Sequence, residues 1–266
     1  MHHLHKCRNS ATVMLVLVCM LNGCATYEGV VRPVPQLNVL SPELQNLTDA
    51  AIEAYLKADV KPAFPTALAV ARLAPRGYAY SRYSRSGSTG GADLHLDAVR
   101  GQEAEVWQGM VEVQTDDGRR PIEQVQFVSR LLSEGRPNLK GLRDAAALLH
   151  APILCVYTQL DNHEEGYNSV AIGYWSIIGL FIIPGNTVGH HSVCQGLLVD
   201  TQSGFILATC MGEAKREENV LAGAVDIATE RTCKQARAEA VEQFQENFRR
   251  TLLKLAQTRG IWPAPS

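Results

Sequence analysis

Two stretches decide the fold: residues 142–161, LRDAAALLHAPILCVYTQLD, and residues 194–210, CQGLLVDTQSGFILATC. In the first, Leu142, Ala145, Ala146 and Leu149 recur on one side of a helix that starts near residue 139 and that Pro152 stops. Residues 153–160, ILCVYTQL, then read as a strand, so a helix feeds directly into a strand as in an α/β layer. In the second stretch, β-prone runs flank Asp200-Thr201-Gln202-Ser203-Gly204, with glycine where a turn wants a positive φ. This predicts a hairpin with strands over 192–199 and 205–211.

Outward from these stretches, residues 66–73 (TALAVARL) read as a strand buried on both faces. Before it, Ser41-Pro42-Glu43 opens a helix carrying Leu44, Leu47, Ala51, Ala54 and Tyr55 at helical spacing to about residue 58, and Pro62 and Pro65 close it off. Residues 76–93 form a Ser-, Gly- and Arg-rich loop. Residues 106–114 and 125–128 are expected as strands, with a turn at Asp117-Gly118. A closing helix over 230–257 has Val241, Phe244, Phe248, Leu252 and Leu255 on one continuous apolar face. The expected fold class is α/β (α+β): a single domain over 41–258 with a mixed sheet flanked by helices and a long C-terminal helix, then a tail at 259–266.

The amino terminus carries the strongest signal. Lys6 and Arg8 precede an uncharged run of 11 residues, 11–21, and Leu21-Asn22-Gly23-Cys24 follows. This is the layout of a secretory signal peptide over 1–23. Its apolar run is too short to cross a bilayer as a helix, which takes about 20 residues. The stretch ending Leu-x-Gly-Cys resembles a bacterial lipobox. That resemblance makes Cys24 the lipidated first residue of the mature chain, with 24–40, containing Pro33 and Pro35, as a tether. Ala25, not Asp, follows the cysteine, and by likeness to enteric lipoproteins this points to the outer membrane, facing the periplasm.

Composition narrows the function classes. The 266 residues are 46% hydrophobic and 20% charged, with a net charge of −2. There is no basic excess to hold a polyanion, so nucleic acid is not an expected partner. The expected partners are the membrane, through the lipid, and an envelope protein, with the oligomeric state left open.

The helix–strand stretch, the VDTQSG turn and the closing helix together resemble the α/β domain of several envelope proteins. These are the curli-secretion lipoprotein, the penicillin-binding-protein activator lipoprotein and the amino-terminal domain of the Tol-system propeller protein. The lipobox, the stretch FVSRLLSEGRPNLKGLRDAAALLHAPILCVYT and the IIPGN segment are most similar to the rhombotarget lipoproteins. The likeness spans roughly residues 60–255 and implies a scaffold, activator or channel, with no catalytic residues to carry over.

Among motifs with chemistry, no Gly-x-Ser-x-Gly elbow is present, and Gly87-Ser88-Thr89-Gly90-Gly91 lacks the Lys-Ser/Thr of a phosphate loop. The chain is therefore expected to be no enzyme and to hold no cofactor or metal. The alternatives are an oligomeric export-pore component and a metal-assisted envelope hydrolase using His163, His191 and Cys194. On a strand His190 and His191 point to opposite faces, so at most one of them joins Cys194. After the signal and Cys24, the thiols of Cys155, Cys194, Cys210 and Cys233 remain. With the hairpin turn centred on Gln202, Cys194 and Cys210 face each other, which makes a disulfide a candidate. A slip of one residue removes the pairing and leaves two free thiols.

Residues 170–183 (VAIGYWSIIGLFII) lie in a stretch without charge from Gly166 to Gly189. Tyr174, Trp175, Ile178 and Phe181 make this a candidate membrane or partner segment, against the plainer reading of a buried core element and the further one of a pore strand. Ile178→Glu and Phe181→Glu separate these readings. In a core, an unpaired charge costs several kcal/mol against a total stability of about 5–15 kcal/mol, and the melting transition collapses. On an interaction surface, melting is unchanged and membrane or partner binding is lost. Core behaviour is the expected outcome.

Overall fold

The structure is a computed structural model, and it describes residues 48–75, 94–132, 137–167 and 186–263. Helix α1 (Asp49–Lys57) precedes strand β1 (Thr66–Pro75) and strand β2 (Leu94–Asp97). Helix α2 (Gly101–Gln108) runs on into a 3-10 turn at Gly109–Glu112, and β3 (Ile122–Phe127) and helix α3 (Leu139–Leu148) follow. Strands β4 (Ile153–Tyr167), β5 (Asn186–Asp200) and β6 (Ile206–Val220) precede helix α4 (Val225–Thr258). The architecture is mixed α/β, as the sequence predicts. The segments 1–40, 76–93 and 170–183, with the start of the helix expected at Ser41, lie outside the described residues.

The sheet order is β2-β1-β4-β5-β6, with β3 also paired to β1. β1 runs parallel to β4 over residues 68–73. Its other edge is shared: β3 pairs in parallel with residues 66–70, and β2 pairs antiparallel with residues 72–75. The β1–β3 register skips Glu123 between Ile122 and Gln124, a bulge at the start of β3.

The described residues form two compact units, the larger with 48–75, 94–132, 137–161, 191–215 and 235–263 and the smaller with 162–167, 186–190 and 216–234. In the larger unit β1 is buried on both faces. Ala67, Ala69, Ala71 and Leu73 pack with Leu139, Leu142, Ala145 and Ala146 of α3. Leu68 and Val70 pack on the opposite side with Trp107 and Met110, and with Phe244, Phe248 and Leu252 of α4. The unit is thus a sheet between two helical layers, and the helix face predicted around Phe244 is buried there. In the described part of the smaller unit, Val188, Val220 and Ala228 form a separate small cluster.

One expectation is corrected. Residues 106–114, read as a strand, form the end of α2 and the 3-10 turn. The valines at 106, 111 and 113 give the segment its β character. Burial follows Trp107 and Met110 instead, three residues apart, which is one side of a helix. Asp117-Gly118 does turn, with Gly118 N donating to Thr115 O at 2.8 Å.

Helix α3 starts at Asn138, whose side chain accepts from Gly141 N at 2.8 Å. It ends with Ala151 N donating to Ala146 O at 3.0 Å and His150 N donating to Ala147 O at 2.9 Å. This is a Schellman closure, and it places His150 at φ 53°, a left-handed conformation that favours glycine. His150→Gly should therefore stabilise the protein. Relief of the left-handed cost, about 1–2 kcal/mol, outweighs the extra unfolded-state entropy, leaving a gain of about 0.5–1 kcal/mol. Thermal denaturation checks this: a Tm rise of about 1–3 °C is expected, and a fall would contradict it.

Candidate binding cleft and the predicted site residues

A shallow cleft among the described residues, open to solvent, measures about 620 Å³. Its apolar walls are Pro65, Val111, Ile122, Trp262 and Pro263, and its polar rim is Arg119, Arg120 and Glu123. The chain after α4 builds it. Phe64 N donates to Ile261 O at 2.8 Å and Ile261 N donates to Pro62 O at 3.0 Å, which ties this segment beside the approach to β1. The residues expected as a tail are therefore, as far as Pro263, part of the packed unit. Trp262 Nε1 donates to Ala256 O at 3.0 Å, and its ring stacks on Phe64 at 5.5 Å between centroids.

The Arg119 guanidinium lies over the Trp262 ring, 4.4 Å from its centroid, in a cation–π arrangement. Arg119 Nε also donates to Asp117 Oδ2 at 2.6 Å, and Arg120 pairs with Glu112 at 3.1 Å. Hydrogen bonds from Arg119 and then Thr115 pull the Asp117 carboxyl down to about 2. Both guanidiniums are thus charge-matched. The cleft offers apolar walls and an aromatic ring, suited to contact with an apolar group. The sequence reading missed it. Ile261-Trp262-Pro263, large apolar residues just after a helix end, was the available signal.

A second polar cluster sits between α2 and the sheet. Arg72 Nη1 donates to Glu103 Oε2 at 2.6 Å, Tyr157 OH donates to Glu103 Oε1 at 2.7 Å, and Asp97 lies 3.8 Å from Arg72 Nε. Burial, then the Glu103 charge, raise the Tyr157 phenol far above its ordinary value. The hydroxyl stays protonated and donates, and both carboxylate oxygens of Glu103 are engaged. The arrangement is structural: it lets a nearly buried acid and an arginine sit against the core with their polar atoms satisfied.

Cys24 and the segment bearing Tyr174, Trp175, Ile178 and Phe181 lie outside the described residues. Cys155, Cys194, Cys210 and Cys233 are all buried, and no disulfide joins Cys194 to Cys210. At the hairpin turn Gly204 N donates to Asp200 O at 2.8 Å and Asp200 N donates to Phe205 O at 2.9 Å, so Asp200 opposes two residues in a bulge, with Gly204 at φ 78°. Cys194 and Cys210 lie in the same core cluster.

Two of the residues of the hydrolase alternative, His191 and Cys194, do not share a face. His191 Nε2 lies 2.7 Å from Glu213 Oε1, whereas Cys194, three positions along the strand, points into the core. His163 belongs to the smaller unit, where its ring is 5.5 Å from that of His190. No group of three or more His, Cys, Asp or Glu placed to hold a metal occurs among the described residues. No helix among them is long and apolar enough to cross a membrane.

No family model matches the chain, and no curated protein matches it. Among the solved structures that align with it are two bacterial proteins. One is a candidate lipoprotein from Caulobacter crescentus CB15, at 16% identity and a TM-score of 0.26, over 56% of this chain and 96% of the other. The second is a Xanthomonas campestris protein of the DUF330 family, at 9% identity and a TM-score of 0.22, over 85% of this chain and 92% of the other.

The thiols yield a direct test. Burial, reinforced by Cys210 and Cys194, raises the Cys155 thiol well above its ordinary value, and burial likewise raises Cys194 and Cys210. A buried, protonated thiol is a poor nucleophile. Iodoacetamide at about pH 8 should leave all three unmodified in the native protein and modify each one after unfolding without reductant. Peptide mass spectrometry reads the result. A Cys194–Cys210 cross-linked peptide, or labelling of the native chain at these sites, would contradict it.

Proposed function

We propose that this chain is a lipid-anchored protein of the bacterial envelope that acts by binding, as an assembly or accessory factor, rather than by catalysis. The observation that carries the reading is Leu21-Asn22-Gly23-Cys24 behind an uncharged run of 11 residues and a basic start. Ala25 favours the outer membrane, and the likeness to rhombotarget lipoproteins favours a role in export or surface-protein processing. Support for binding comes from the side chains that chemistry would need. The thiols of Cys155, Cys194 and Cys210 are buried and protonated, and Glu103 is held by Arg72 and Tyr157. The Trp262 cleft, by contrast, opens to solvent between charge-matched arginines and is a surface on which a partner's apolar group fits.

Replacing Cys24 by alanine tests the anchor. Lipidation with several acyl chains holds a protein firmly in the membrane, because each buried methylene contributes about 0.8 kcal/mol. Metabolic labelling with a tritiated fatty acid should mark the parent and not Cys24→Ala, and the variant should leave the membrane fraction. A variant that stays with membranes through high-salt and carbonate washes overturns the anchor reading.

A further inference from the structure

The Trp262 cleft is shallow and open, which suits an extended chain better than an enclosed small molecule. Its wall also departs from the alternation of a regular strand. Ile122 and Glu123 are consecutive, yet both line it, because the bulge at the start of β3 re-aims Glu123. Glu123 is exposed, and its carboxylate has no partner among the described residues. Arg119 and Arg120 are matched by Asp117 and Glu112, so the charge left over among the lining residues is negative.

Residues 31–35, VRPVP, carry the matching features. Proline fixes its own φ, and the residue before a proline is driven to the extended region, so Arg32, Pro33, Val34 and Pro35 are all biased to polyproline II. In that helix of three residues per turn, Val31 and Val34 share an edge, an apolar ridge for the cleft. A chain so restricted has little entropy left to lose on docking. Arg32 is the only lysine or arginine between Cys24 and Lys57, and it adjoins the ridge as a counterpart to Glu123. The segment also has the reach. The chain enters the larger unit at the cleft, where Pro62 and Phe64 are hydrogen-bonded to Ile261 and Pro65 is a wall. From Pro62 back to Asp49, through helix α1, the chain spans at most about 30 Å, and from Asp49 back to Pro35 it covers about 45 Å at full extension.

We propose that residues 31–35 of the chain's own tether dock in the Trp262 cleft as a polyproline II ridge, with Arg32 against Glu123. The inference rests on the reading of 24–40 as the tether of an anchored chain and of the cleft as a binding surface. Linkage within one chain presents the segment at an effective concentration of about millimolar, so a weak contact suffices. Docking leaves about 26 Å of extended chain between Cys24 and Arg32, which holds the cleft close to the bilayer. An outside partner reaches the cleft by displacing the tether.

The test uses the full-length lipidated chain in its native membranes, with photoreactive p-benzoylphenylalanine in place of the exposed Pro263. After irradiation, peptide mass spectrometry identifies what the cleft holds. The expected adduct has the mass of a single chain and joins position 263 to the peptide carrying residues 31–35. Glu123→Lys should lower its yield about two- to fivefold, the size of one exposed ion pair, and adding Arg32→Glu should restore it. Capture of a different protein, or of residues 31–35 from a second chain, overturns the proposal and leaves the cleft a binding surface. A yield that Glu123→Lys does not lower, or that Arg32→Glu does not restore, overturns it too. Capture of nothing beyond the cleft's own walls overturns the proposal and the cleft reading together, while the anchor stands or falls separately on Cys24→Ala. If the Pro263 variant fails to fold, the same probe replaces Arg120, whose side chain is 53% exposed, and is read by the same criteria.

Discussion

The larger unit depends on one constraint: β1 must be buried on both faces, and its two faces differ in size. Its alternation is strict, with alanine at 67, 69 and 71 and with Leu68 and Val70 between them. The alanine face lets α3 approach closely, and the small Ala145 and Ala146 meet it from the helix. The larger face meets a cluster in which the Trp107 ring lies 5.5 Å from Tyr157, 6.1 Å from Phe244 and 5.0 Å from Phe248. Each large apolar side chain fully buried there contributes about 1.5–3 kcal/mol. A register slip of one residue would drive alanines into the wide aromatic layer and leucine into the narrow one, so the alternation fixes both layers at once.

A second constraint joins the two stretches that decide the fold. Arg143 of α3 donates from Nε to Thr201 O at 3.0 Å and from Nη2 to Gln202 O at 2.6 Å, across 58 and 59 residues of chain. Thr201 N in turn donates to Pro152 O at 2.8 Å, and its hydroxyl donates to Ala151 O at 2.7 Å. The β5–β6 turn is thus hydrogen-bonded to the junction where α3 becomes β4. Gly204 belongs to this clamp twice over: its φ is 78°, and a Cβ there would fall 2.5 Å from Arg143 Nη1. The turn sequence therefore specifies a tertiary contact as well as a reversal of direction.

Where a segment's own period agreed with its surroundings, the sequence was legible. The strand at 66–73, helix α3, the β5–β6 hairpin and the Phe244 face of α4 all have one apolar pattern and one packing environment. Residues 106–114 were misread because two patterns overlap there, β-branched valines against a Trp107–Met110 pair at helical spacing, and only the core decides between them. The four residues of β2 are too few to carry a period. The cleft was illegible for a different reason. It joins Pro65, Arg119 and Trp262 from distant parts of the chain, and no local rule predicts that Arg119 will lie over the Trp262 ring.

Free thiols bear on the envelope reading as well. In an oxidising compartment a cysteine pair persists unbridged only if geometry or access prevents oxidation. Access is closed here: Cys155 and Cys194 are 1% or less exposed beneath α4. Disulfide exchange needs a thiolate and a path for the attacking partner. Burial raises the thiols and closes the path together, so the same packing against Phe244 and Leu252 that builds the core also keeps its sulfurs reduced. Free cysteines in this chain are thus compatible with an oxidising location, because the protection comes from the core and not from the compartment.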